Sequence, residues 1–97
     1  MRRAIPLLVL VFAGCASPPV QEMSDARQAV EAAIHSGAAS AAPDKMNSAE
    51  TELKMAERLL RDHQFNAARH YARNARAKAM DAQAIAQSKA DRTRTQP

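Results

Sequence analysis

The chain has 97 residues, 14 of them Lys or Arg and 10 Asp or Glu, for a formal charge of +4. That length holds one small domain and excludes two, and a single cysteine excludes an internal disulfide. With only two glycines, the sequence also lacks the Gly-rich turns that build phosphate cradles and oxyanion holes, so neither catalysis nor a cofactor is expected.

The N-terminal residues follow the order of an export signal. Arg2 and Arg3 form a charged start, residues 5–12 an apolar run, and Ala13 and Gly14 a small-residue approach to Cys15. The run is too short to span a bilayer, which takes roughly 18 to 20 apolar residues, and Pro6 interrupts it. Ala13-Gly14-Cys15 resembles a lipobox, with Phe12 where that pattern usually has leucine. The resemblance implies cleavage of a signal peptide over 1–14 and lipidation of Cys15, the expected site residue, as the first residue of an 83-residue mature chain. Losing Arg2 and Arg3 lowers the charge from +4 to +2. Ala16 follows the cysteine where aspartate would resemble an inner-membrane retention signal, so the resemblance implies the outer membrane, periplasmic side, with no nucleic acid as partner. Attachment by more than one acyl chain would be stable.

Residues 15–23, with Pro18 and Pro19, read as a stiffened lipidated tether, and 24–87 as an alanine-rich helical domain. A first helix is expected over 24–36, capped by Ser24 and stopped by Gly37, with Ala26, Ala29, Val30, Ala33 and Ile34 on one face. After a short connection over 38–42, Pro43 suits the first position of a second helix, where its missing N–H would be unpaired, and Asp44 complements the helix dipole. Met46, Ala49, Leu53, Ala56 and Leu60 step three and four apart, with Met55 and Leu59 widening the stripe. Glu50 with Lys54 and Glu57 with Arg61 are spaced for ion pairs along the outer surface.

A third helix is written in alanine, at positions 68, 72, 75, 79, 82 and 86, with Phe65 and Tyr71 near its start. The break before it, Asp62-His63-Gln64, has neither glycine nor proline. Two forms stay open. A left-handed His63 gives a helical hairpin, whereas an unbroken helix of about 45 residues would be near 68 Å long at 1.5 Å per residue and would need a coiled-coil partner. Residues 88–97, with Lys89, Arg92 and Arg94, read as a basic disordered tail. The fold class is therefore all-α, a small three-helix bundle or helical hairpin after a cleaved signal peptide.

Ser24 to Ala33, then Ala42-Pro43, then Ala49, Leu53 and Ala56, then Phe65, Ala68, Ala72 and Ala75 together resemble a lipoprotein family known as domain of unknown function 4398. The resemblance spans about residues 20–86. It implies a short, exported, alanine-rich helical protein with no assigned activity, in a family whose members are in some cases fused to a peptidoglycan-binding domain of the outer-membrane protein A type. His63 stands where the family pattern usually has glycine. The spacing from Phe65 to Ala68 and onward is also similar to the first helix of a tetratricopeptide repeat, which implies tetratricopeptide-like packing, but no second copy follows about 34 residues later.

His35, His63 and His70 are the only imidazoles, and none is paired three or four apart with the carboxylates of a helical metal site, so no metal is expected. Arg69, Arg73 and Arg76, at spacings of four and three, share one face and form the candidate interaction patch. Residues 64–97 carry seven basic and two acidic side chains, a surface suited to anionic head groups, peptidoglycan carboxylates or an acidic envelope protein. The plainer reading of the same stripe is a solvated helix face. Met46, Leu53, Leu60 and Phe65 are the expected core. Alanine methyls contribute only about 0.8 kcal/mol each, so a partner or a homo-oligomer is expected to complete so thin a body. The expected function is a non-enzymatic, outer-membrane-anchored structural or protein-interaction module. Two alternatives stand beside it. One is an alanine-zipper spacer resembling the major murein lipoprotein, although the chain closes on Thr95-Gln96-Pro97 without a terminal lysine. The other is a small periplasmic ligand- or metal-binding protein.

Overall fold

A computed structural model describes residues 17–95, and the expected signal peptide and Cys15 lie outside them. The described chain is α1 (Val20–His35), α2 (Ala38–Ala41), α3 (Pro43–Arg61) and α4 (Phe65–Thr95), with no strand among the described residues.

α1 begins four residues before the expected Ser24, which sits inside the helix and accepts a hydrogen bond from Gln28 Nε2 at 3.1 Å. Burial explains the earlier start. Pro19 and Met23 are the largest fully buried side chains, and Met23 packs with Ala26, Ala56, Ala72 and Ala75, so the extra turn moves a large apolar side chain out of water. Pro19 precedes the first helical residue, where its lack of an N–H costs nothing, and its carbonyl accepts from Met23 N–H at 2.9 Å. At the other end Gly37 adopts φ 81°, the left-handed conformation that ends helices at little cost to glycine. The connection that follows is more ordered than the sequence implies: α2 is a single helical turn that buries its first residue, Ala38, and is followed by buried Ala42.

Pro43 takes the first turn of α3 and Asp44 supplies its acidic charge there, as the pattern predicts. α3 ends in a left-handed residue that is not glycine, His63 at φ 59°. Gln64 N–H donates to Leu59 O at 2.9 Å and His63 N–H to Leu60 O at 3.1 Å, the paired bonds of a Schellman ending. The turn therefore forms, and the hairpin form holds in place of the unbroken helix. α4 then runs for 31 residues, about 46 Å at 1.5 Å per residue. It stays helical through Thr95, so the expected disordered tail over 88–97 is corrected over its described part. Residues 88–95 continue the helix on side chains that tolerate it, and Lys89 Nζ donates to Ala41 O at 2.7 Å.

All six alanines of the α4 stripe are buried. Met23 and Ala26 of α1 meet Ala72 and Ala75, while Val30 and Ala33 meet Ala79, Ala82 and Ala86. α1 thus runs parallel to α4, and α3 returns antiparallel between turns at either end. The expected core needs revision. Met46 is buried, but Leu53 and Leu60 are only partly so, and Phe65 is half-buried. Alanine explains this, because methyl-sized contacts bring the helix axes close and displace larger side chains to the margins of the seam. The surface ion pairs also differ from expectation. Glu57 reaches across to Arg27 of α1 at 3.5 Å, not along its own helix to Arg61, and Lys45 meets Asp81 of α4 at 3.8 Å.

Candidate functional site

The arginine stripe lies on α4 as predicted, but its three members have different surroundings. Arg69 is spent inside the molecule: Nε donates to Glu22 Oε1 at 3.1 Å, one terminal nitrogen to Asn66 Oδ1 at 3.1 Å, and the other to the carbonyl of Ser17 at 3.1 Å. Arg73 stands 3.8 Å from the same Glu22 oxygen, with its side chain 68% exposed. Arg76 is exposed and takes part in no ion pair within 4 Å among the described residues. The structure therefore gathers Arg69 and Arg73 on Glu22 and leaves Arg76 to solvent. Two of the three residues of the expected interaction patch thus face Glu22, and the closer, Arg69, clamps the start of α1 to the start of α4.

Glu22 was invisible as a partner in sequence because 47 positions separate it from Arg69. It sits in the first turn of α1, where the helix dipole favours negative charge. Its carboxyl is held below the ordinary 4.5 by its own backbone N–H and, against partial desolvation, by the hydrogen bond and charge of Arg69 and the charge of Arg73.

A second polar feature was missed. Between α3 and α4 a shallow cavity of about 270 Å³ is lined by Asn47, Ser48, Thr51, Glu52 and Lys78. Lys78 Nζ donates to Glu52 Oε1 at 2.8 Å, while the other carboxylate oxygen is buried and receives no hydrogen bond from the protein. One sign was available in sequence: Lys78 is the only lysine in the alanine run from 67 to 86. Set between buried Ala75 and Ala79, its side chain lies at the margin of the seam and within reach of α3.

The histidines stay apart. His63 lies at the α3–α4 turn with its ring 5.6 Å from that of Phe65, and exposed His70 stands edge-on to Tyr71 and 3.3 Å from Asn74. Among the described residues no three His, Cys, Asp or Glu side chains are placed to share a metal ion, and no helix is long and apolar enough to cross a membrane.

Comparison with known proteins gives one match. A family described as a domain of unknown function, DUF4398, matches residues 21–96. No curated protein and no solved structure matches the chain.

Proposed function

The chain belongs to the DUF4398 family, and from that footing we propose that it is a non-enzymatic lipoprotein, anchored through Cys15 on the periplasmic side of the outer membrane, whose helical body serves as a structural or protein-interaction module of the envelope. The observation that carries this reading is the fastening at the N-terminal end of the body. Only residues 16–19 separate Cys15 from α1, at most about 14 Å of extended chain. Arg69 then grips both Ser17 and Glu22. A lipid on Cys15 would hold a body that is tied to its anchor by a short, pinned segment, with the start of α1 and the hairpin turn at 62–64 nearest the lipid.

Fractionation of cells making the parent chain and a Cys15→Ser variant tests this reading, together with the mass of the N-terminal peptide. The parent is expected in the outer-membrane fraction with a diacylglyceryl and acyl mass increment on Cys15, and the variant in the soluble periplasm. An unmodified cysteine, or a variant that stays with the membrane, would overturn the anchor.

A further inference from the structure

One face of α4 is left uncovered by α1 and α3. Arg73, Ala77, Met80, Ala84, Gln87 and Asp91 are all exposed there, and Met80 is half in solvent. Their spacings of four, three, four, three and four make the 3.5-residue seam by which helices pair, on a different face from the alanines that bury α1 and α3. Ala77, Met80 and Ala84 form the apolar middle, with a cation at one end and an anion at the other. From this pattern we propose that a second copy of the chain covers the stripe, with the two α4 helices antiparallel about a two-fold axis level with Ala82.

Charge and size select both the occupant and the direction. In that register Arg73 of one copy lies opposite Asp91 of the second, Ala77 opposite Gln87, and Met80 opposite Ala84, and the two-fold axis repeats each pair. The large side chain meets a small one and opposite charges close both ends. A parallel pair would stack Arg73 on Arg73 and Asp91 on Asp91 with Met80 against Met80, so like charges oppose it. Arg73 is available for this role because its contact with Glu22 is long and its side chain mostly exposed. The carboxylate of Asp91 makes no ion pair among the described residues. The seam is short, so the pair is weak in dilute solution and strengthened wherever the copies share a surface. With Cys15 as anchor, the two N-terminal ends fall at opposite ends of the pair, which lies along the membrane and not across it.

Disulfide trapping reads the register directly. Full-length chains carrying Cys15→Ser, purified in mild detergent at high protein concentration, are oxidised as a mixture of Ala77→Cys and Gln87→Cys and, separately, as each variant alone. The mixture is expected to crosslink at least tenfold faster than Ala77→Cys alone, whose sulfurs lie about ten residues, or 15 Å, apart along the helix in the antiparallel register. Faster self-crosslinking of Ala77→Cys would overturn the register, and no crosslink in any sample would overturn the pair. Asp91→Arg, which leaves the Glu22 contacts untouched, is expected to cut trapping at least fivefold, and Arg73→Asp with Asp91→Arg together to restore it. Because Arg73→Asp also sets a carboxylate beside Glu22, the double variant is read together with hydrogen exchange, and failure to recover while α1 amides keep their protection would also overturn the proposal. Because Cys15 is absent from every sample, the outcome is separate from that of the anchor test.

Discussion

α3 and α1 both pack on α4, yet they are held by different means. α3 is joined to α4 by a three-residue turn, and the shorter of its two ion pairs with α4, Glu52 to Lys78, spans 26 positions. α1 is reached through α2, and its clamp, Glu22 to Arg69, spans 47. Closing the longer loop costs more chain entropy for a seam of similar chemistry. α1 buries four side chains, Met23, Ala26, Val30 and Ala33, against three for α3, Met46, Ala49 and Ala56, so the difference between the arms lies in loop length and not in the number of buried residues. The hairpin is thus the local, self-organising part of the body, and α1 is a strap laid on it and pinned at its start.

Met46→Ala should have the largest effect, because Met46 lies in the cluster that joins Val30 and Ala33 of α1 to Ala79, Ala82 and Ala86 of α4. A loss of about 2 to 5 kcal/mol is expected in urea denaturation, and both arms should open together. Ala26→Leu separates the arms. Overpacking a fully buried alanine should cost about 1 to 3 kcal/mol, and hydrogen exchange should show α1 amides losing protection while α3 and α4 keep theirs. Uniform loss across all helices would break the strap description.

His63→Gly acts on the hairpin alone and in the opposite direction. Relief of a left-handed side chain, partly offset by glycine's greater freedom in the unfolded chain, should raise stability by less than about 1 kcal/mol. A rise in the thermal midpoint checks it. The smallest effect is expected from Glu22→Gln. Since the folded carboxyl titrates below the ordinary 4.5, its contribution is present above that value and fades as pH falls through the lower folded one. The variant should therefore be slightly less stable at neutral pH and show a flatter acid limb in pH-resolved denaturation, a difference that added salt should shrink.

Much of the fold could be read in sequence because its signals are local or periodic. The α4 alanines at spacings of three and four are all buried, Gly37 and Pro43 sit at the helix ends they mark, and His63 makes the turn despite its side chain. What could not be read was long-range or a matter of degree. Which carboxylate would take Arg69 depended on how α1 lies along α4, and the same is true of Glu57 choosing Arg27. The charge-rich residues 88–95 looked solvated, and they are exposed, but solvation does not prevent a helix from continuing. The leucines looked like core because they are large. An alanine seam reverses that ranking, since the closest approach belongs to the smallest side chains.

The grip of Arg69 on Ser17 and Glu22 also has a mechanical meaning. α1 runs parallel to α4, so a pull on the chain before Ser17 acts along the helix axes, and α1 can leave only by sliding past α4. Sliding puts every contact of the strap in shear at the same moment, where peeling would break them one at a time. Tension delivered at the N-terminal end therefore meets the charged clamp first, and the hairpin yields only after the strap has slid.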